Sequence, residues 1–566
     1  MSDPLLSVKN LTISFEVEGK RIPAVNDISF DIKPGEIVGL VGESGSGKSV
    51  SAMSVVRLVP MPPGNLESGE ILFEGKNLLE MPVDELRKIR GKDISVIFQE
   101  PMTALSPLHS VGKQLAEVVQ IHDPNISKEE AWNIAVEWLD KVGIPDPEER
   151  AKAYPFQFSG GMRQRVMIAM ALILQPKLII ADEPTTALDV TLQAQIFDLI
   201  LKMKSEDTSI LFITHDMGVI WELSDRVLVM KDSNIVERGD VEDLFANPQV
   251  EYTQKLLAAV PRLTDEPIQR RTYSEEDEAI IEVKNLKTWF PVKRGVFART
   301  VDHVKAVDDV SLEIFPGECL GLVGESGSGK TTLGRTILGL DNAREGEILF
   351  KGQNIRDLGY HAMRPYRQDL QMIFQDPYSS LNPRMTVIDI LTEGLIEHGL
   401  LGPIEMDGDE KTSRLIFENK KDAAAHWLEE VGLPADTMNR YPHEFSGGQR
   451  QRICVARAIA VEPEFVVCDE AVSALDVTIQ AQVIDLLMEL KDKLGLSYLF
   501  ISHDLSVVKR ICDRVVVMRH GKVAEAGFTT DVVNNPQSEY TKSLIEAVPI
   551  PGDTKKRAKA QARGNA

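Results

Sequence analysis

Gly42-Glu43-Ser44-Gly45-Ser46-Gly47-Lys48-Ser49 recurs in this chain as Gly324-Glu325-Ser326-Gly327-Ser328-Gly329-Lys330-Thr331. Both octets fit the phosphate-gripping pattern G-x-x-x-x-G-K-[ST]. Each stands between an apolar, strand-like run (Ile37 to Val41; Leu320 to Val323) and a helix-like run. The glycines let backbone N–H groups curl around phosphates, and the helix that follows presents its positive end to them. Lys48 and Lys330 are expected to reach the β- and γ-phosphates, with Ser49 and Thr331 as Mg²⁺ ligands.

Two further pairs carry chemistry. Leu178 to Ala181 runs into Asp182-Glu183, and Phe465 to Cys468 runs into Asp469-Glu470. A buried strand ending in adjacent acids aims them into the crevice at the carboxyl edge of a sheet. Asp182 and Asp469 are placed to hold the Mg²⁺ hydration shell; Glu183 and Glu470 are left to take a proton from attacking water. Alone, such a pair reads as a solvated turn; downstream of a phosphate loop in both halves it reads as catalytic. Ser159-Gly160-Gly161-Met162 and Ser446-Gly447-Gly448-Gln449 each precede a long helical run. A serine and two glycines there supply a cap and free N–H groups, a second anion site per half, with a plain capped helix start as the alternative.

The elements that must position these groups repeat as well. Val-, Ile- and Leu-rich strand-like runs alternate with helical segments in both halves, which predicts an α/β fold with a largely parallel sheet flanked by helices. The 566 residues divide into a first unit at 5–262, a linker at 263–278, a second unit at 279–550 and a tail at 551–566. The segment 402–419 reads as a surface insertion of the second unit. The basic, low-complexity tail (Lys555, Lys556, Arg557, Lys559, Arg563) reads as disordered and solvated, with a lipid-headgroup contact as the alternative.

Composition narrows the function. At 43% hydrophobic and 26% charged the chain is ordinary globular protein, and a net charge of −23 speaks against nucleic acid as a partner. No apolar run approaches the roughly 20 residues of a membrane span, and no secretory leader is visible, so a cytoplasmic chain is expected. Cys319, Cys454, Cys468 and Cys512 have no metal-site spacing and read as small buried residues.

The ordered set of motifs resembles the ATP-binding cassette of ABC proteins, twice over nearly the whole chain. The phosphate loops match its Walker A motif, and the acids match its Walker B motif. Phe158 to Met162 and Phe445 to Gln449 match its signature sequence. Gln99 and Gln375 match the Q-loop glutamine, Asp189 and Asp476 the D-loop aspartate, and His215 and His503 the switch histidine. The resemblance implies two tandem P-loop NTPase domains, each with a RecA-like, mostly parallel core, an antiparallel β subdomain and an α-helical subdomain. It implies an intramolecular cassette dimer, head to tail, binding two ATP with Mg²⁺. One site would combine Lys48, Ser49, Gln99, Asp182, Glu183 and His215 with Ser446 to Gln449. The other would combine Lys330, Thr331, Gln375, Asp469, Glu470 and His503 with Ser159 to Met162. Gln99 and Gln375 would also meet the metal, and the histidines the γ-phosphate. Phe15 and Phe290 stand where the family stacks an aromatic on adenine; core packing competes for both, and Phe297 is a rival in the second half. Met162 departs from the usual signature glutamine, and Ala471 from the proline at Pro184.

Asn247 to Pro261 and Asn535 to Pro549 share a second repeat that resembles the carboxyl-terminal segment of the peptide/nickel import branch. The cysteine-rich tail of iron–sulfur members is missing, so no iron–sulfur cluster is expected. Fusion of two cassettes is similar to the import ATPases for glutathione and for microcin C or muropeptides. That implies an ATPase powering import of peptide-like solutes through two integral-membrane permeases, fed by an extracytoplasmic solute-binding protein. The chain would be peripheral, at the cytoplasmic face of the inner membrane. Nickel, opines and oligosaccharides travel through relatives, so the solute stays open. Soluble twin cassettes that act on ribosomes are the competing class; their long basic linker contrasts with the acidic stretch Glu275 to Glu278.

Overall fold

The computed structural model describes residues 3–17, 19–185, 189–263, 277–294, 299–402, 416–473 and 475–564. Most of the linker, Phe297, most of the 402–419 insertion, and Ala187, Leu188 and Ala474 lie outside the described residues.

Each half builds two sheets. In the first, β1 (Leu6–Val17), β2 (Lys20–Ile32), β4 (Gly64–Phe73) and β5 (Lys76–Asn77) form an antiparallel sheet in the order β2-β1-β4-β5. The central sheet holds β3 (Ile37–Gly42), β6 (Ile94–Ile97), β7 (Leu178–Asp182), β8 (Ser209–Ile213), β9 (Arg226–Lys231) and β10 (Asn234–Asp240), in the order β10-β9-β3-β8-β7-β6. All of its pairings are parallel except β9 with β10. The second half repeats both sheets. β11 (Ile281–Arg294), β12 (Arg299–Ile314), β14 (Glu345–Phe350) and β15 (Gln353–Asn354) make the antiparallel one. β13 (Cys319–Val323), β16 (Leu370–Ile373), β17 (Phe465–Asp469), β18 (Ser497–Ile501), β19 (Arg514–Arg519) and β20 (Lys522–Phe528) make the central one.

Why these runs become central strands is visible in their burial. Every residue of β7 and β8 is buried, as a parallel sheet covered on both faces requires. The faces alternate: Leu178, Ile180, Leu211 and Ile213 pack with the antiparallel sheet. Ile179, Ala181, Ile210 and Phe212 pack with the helical layer around Trp138, Val166 and Ile168. A two-residue period on a doubly covered strand leaves no polar position until the strand ends, and there stand the acids.

The tail corrects the expectation of disorder. Thr554–Gly564 is a helix, and Arg557 is buried at 6% exposure. A run of Lys, Ala, Arg and Gln forms helix readily, and its charge finds carbonyls and a carboxylate on the first half. Composition registers the charge and not the seat. Among the described residues no helix is long and apolar enough to cross a membrane.

Candidate nucleotide sites

Each phosphate loop leaves its strand and enters a helix, Lys48–Val55 or Lys330–Ile337. Gly47 and Gly329 sit at φ 99° and 104°, and a Cβ there would lie 2.1 Å from Ala24 O and 2.0 Å from Ala306 O. Neither the backbone conformation nor the space admits a side chain. Lys48 Nζ donates to Gly42 O and Glu43 O, both at 2.8 Å. Lys330 repeats this toward Gly324 O at 2.8 Å and Glu325 O at 2.9 Å. Burial lowers the pKa of both lysines, opposed by the nearby carboxylates, Glu183 and Glu470 foremost.

Ser49 Oγ donates to Asp182 Oδ1 at 3.0 Å, and Thr331 Oγ1 to Asp469 Oδ1 at 2.8 Å. Hydroxyl and carboxylate oxygens in contact at the mouth of a phosphate loop are the hard donors that fit Mg²⁺. Burial pushes the Asp182 carboxyl up to about 6 against the Ser49 hydrogen bond, and raises Asp469 as well.

The next residues, Glu183 and Glu470, both have φ 45°. This left-handed turn costs a non-glycine residue about 1–3 kcal/mol and is the kind of strain found where function fixes a side chain. Each carboxylate meets a glutamine and a histidine. Gln99 Nε2 donates to Glu183 Oε2 at 2.8 Å, while His215 Nδ1 lies 3.5 Å from Oε1. Gln375 Nε2 donates to Glu470 Oε2 at 2.7 Å, and His503 Nδ1 lies 3.6 Å from the same oxygen. Burial opposes charge on both histidines, but the facing glutamate wins and the pKa of each is raised. Burial raises Glu470 in turn, and the hydrogen bond and charge of His503 overcome it, so its pKa is lowered.

The signature serines cap their helices. Met162 N donates to Ser159 Oγ at 3.3 Å, and Gln449 N to Ser446 Oγ at 3.4 Å. Only the second half completes the reciprocal bond, Ser446 N to Gln449 Oε1 at 3.0 Å, because Met162 has no acceptor to offer. Nothing lies within 4 Å of where a Cβ on Gly160 or Gly447 would point, so a ligand can approach that backbone. Gly161 and Gly448 instead pack against Leu192 and Ile479.

The halves meet through the D-loop aspartates. Asp189 Oδ1 accepts from Leu192 N at 2.9 Å and caps its own helix; Asp189 Oδ2 accepts Ser326 N, in the other half's phosphate loop, at 2.9 Å. Asp476 caps its helix through Ile479 N at 3.0 Å and acts on Lys48 by charge. Asp189 lines a cavity of about 610 Å³ with Phe290, Ser326, Lys330, Thr331, Gln375, Glu470 and His503. Phe290 is 42% exposed there. Phe15 is half-buried against the first half's core.

Sequence reasoning missed several groups around these sites. Tyr252 and Tyr540 accept hydrogen bonds from Glu43 N at 3.1 Å and Glu325 N at 3.0 Å, bracing each phosphate loop. Both tyrosines belong to the terminal repeat, so the repeat was visible but its target was not. Ile22 and Val304 are exposed beside Phe15 and Phe290, which they face across β1–β2 and β11–β12; an exposed branched side chain in a strand hairpin was their only signal.

Duplicated phosphate loops, each with a cation-ready Ser/Thr–Asp pair and a doubly held glutamate on a parallel sheet, define an ABC-type ATPase in two copies. The profile described as "ABC transporter" matches residues 25–186 and 307–473, and that of the "Oligopeptide/dipeptide transporter, C-terminal region" matches 236–285 and 524–566. The chain is 50% identical to the peptidoglycan transport ATP-binding protein YejF of Agrobacterium fabrum, over 96% of each chain. It is 47% identical to the glutathione import ATP-binding protein GsiA of Salmonella paratyphi A, over 98% of this chain and 91% of that one. A solved dimeric cassette, MJ0796 with ADP and Pi, aligns at 30% identity over 42% of this chain and 98% of its own, with a TM-score of 0.38. The chain belongs to the ABC transporter family.

Proposed function

We propose that this chain is the ATP-hydrolysing subunit of an importer of peptides or peptide-like solutes, carrying two working sites. The observation that carries the reading is the pair of glutamates, each at φ 45° and each bonded to a Q-loop glutamine, in a chain whose two halves both end in the peptide-import C-terminal region. Glu183 and Glu470 take the proton of the attacking water; Gln99 and Gln375 hold one oxygen of each carboxylate in place. His215 and His503 sense the γ-phosphate beside the same carboxylate. Ser159 to Met162 and Ser446 to Gln449 serve the opposite half's nucleotide through open helix starts. Ser49 with Asp182, and Thr331 with Asp469, would hold Mg²⁺ together with Gln99 and Gln375, and the ion would supply positive charge against the phosphates.

Peptidoglycan and glutathione, the cargoes in the relatives' names, support peptide-like solutes as the class carried. Separate integral-membrane permeases, fed by an extracytoplasmic solute-binding protein, carry the solute, and the chain sits peripherally at the inner membrane. A groove of about 220 Å³ beside the first Q-loop, lined by Leu58, Phe98, Ala104, Val118, Met167 and Met170, offers an apolar seat for a permease helix. Pull-down of the tagged chain from membranes is expected to bring two permeases; ribosomes in their place would favour the translation-factor class. A deletion strain is expected to lose uptake of a labelled muropeptide or glutathione, and unchanged uptake of both would exclude these cargoes.

A further inference from the structure

The two halves exchange their carboxyl-terminal segments. Leu263, which follows the first half's last helix Glu251–Ala259, lies in the core of the second half. Its carbonyl accepts from Lys509 Nζ, which also donates to Asn534 Oδ1 at 3.3 Å. Lys509 is buried on the second switch helix, Leu505–Ile511, one element past His503.

The reciprocal crossing is longer. Pro549 O lies 2.8 Å from where a Cβ on Gly218 would stand. Trp221 Nε1 donates to Asp553 O at 3.2 Å. Arg557, on the terminal helix, donates through Nη1 to Trp221 O at 2.6 Å and Ser224 O at 2.8 Å, and through Nε to Glu242 Oε1 at 3.1 Å. Its guanidinium also lies 5.6 Å from the Trp221 ring centroid. Trp221 belongs to the first switch helix, Met217–Leu223, and Ser224 is its C-cap; the helix's N-cap, Asp216, follows His215 directly. The last carbonyls of a helix lack partners of their own and carry its negative end, so a buried guanidinium is a matched ligand for them. Charge-assisted bonds shielded from water are the strong ones. Met217 and Gly218 line the same cavity between the halves as His215 and His503, and each clamp grips the helix that follows a switch histidine.

We infer that the exchanged terminal segments are clamps: they keep the halves paired in every nucleotide state and tie each switch-histidine helix to the opposite half. This goes beyond the import reading and stands without it. A paired but open motor then spends ATP on closing rather than on finding its partner half.

Hydrogen exchange on the full-length chain without nucleotide tests this, with ATPase kinetics beside it. The amides of 217–223 and 554–564 are expected to be protected. Arg557→Ala is expected to speed exchange of both segments together by about tenfold or more, while the β13–β18–β19 strands stay protected. KM for ATP should rise by about the factor by which the paired population falls, with kcat little changed. Arg557→Lys, which keeps charge but loses the fork of donors, should fall between. Spin labels at Glu148→Cys and Lys421→Cys should report a broader distance distribution in Arg557→Ala without ATP. Terminal-helix exchange at unstructured rates in the unmodified chain would overturn the clamp. So would an Arg557→Ala chain whose 217–223 protection, KM and label distances are unchanged, or one whose whole first sheet loses protection.

Discussion

Around Lys330 (site two) a hydrogen bond crosses between the halves, and around Lys48 (site one) the opposite half acts through charge. Asp189 gives one oxygen to its own helix and the other to Ser326 N, whereas Asp476 caps its helix and acts on Lys48 electrostatically. Other differences between the halves run in both directions. The second signature helix has the full capping box and the first lacks it. Gln164 Nε2 donates to Pro184 O; its counterpart Gln451 has Nε2 buried with no partner among the described residues. Trp221 and Glu222 on the first switch helix stand where Lys509 and Arg510 stand on the second. The lesson is that near-identical motifs fix what each site can do, while their flanking residues set how tightly each is held.

The sharpest way to break the comparison is to remove the bases one at a time. Glu183→Gln and Glu470→Gln are each expected to slow hydrolysis at their own site by about 10²–10⁴-fold, measured as single-turnover phosphate release. A variant with unchanged turnover would mark its site as non-catalytic. Phe290→Ala comes next: loss of about 1–3 kcal/mol of stacking should raise KM for ATP by about 5- to 150-fold at site two. Phe15→Ala, which also opens the first core, should instead lower the melting temperature; equal KM effects without destabilisation would erase this distinction. Asp189→Ala removes a helix cap and the cross-interface bond together. A cap alone is worth about 1 kcal/mol, so roughly a fivefold or greater weakening of nucleotide-driven closure is expected, larger than for Asp476→Ala in the same label-distance assay.

A pH effect should separate the clamps. Burial pushes the Glu222 carboxyl up to about 7, helped by Asp216 and Asp553 and opposed by Lys556 and the Ile550 N–H. A carboxyl raised in the folded state favours folding while protonated, so its contribution is complete below the ordinary carboxylate range and fades as pH rises through about 7. The protection of helix 554–564, taken relative to the intrinsic exchange rate at each pH, should therefore fall between pH 5 and 8, and Glu222→Gln should flatten that profile. Arg510, paired with Asp485 on the other side, predicts no matching trend around Leu263. The smallest effect belongs to Met162→Gln. Completing the capping box should add about 0.3–1.5 kcal/mol, read as a rise in melting temperature, with the reverse for Gln449→Met.

Much of this was legible beforehand because the chemistry needs particular residues at fixed places in the chain. Glycine at 47 and 329, the acid pairs at strand ends and the apolar runs of β7 and β17 are local requirements, and their spacing carried the central sheet and the residues around each phosphate loop. The terminal helix was misread because a run of Lys, Ala and Arg looks the same in solution as on a seat. Its order comes from Trp221, Ser224 and Glu242, hundreds of residues earlier. The same distance hid the Tyr252 and Tyr540 hydroxyls, whose partners are loop N–H groups far upstream.

Two phosphate loops, two acid pairs and two halves of one design are written in the order of residues, since these depend on backbone geometry and side-chain chemistry within short segments. Which groups cross between the halves emerges from the folded arrangement alone: Asp189 to Ser326, Leu263 to Lys509, Arg557 to Trp221. Those contacts join positions that no local periodicity links, and they exist because burial brings a charged or polar group to the one place where its partner has been left without water.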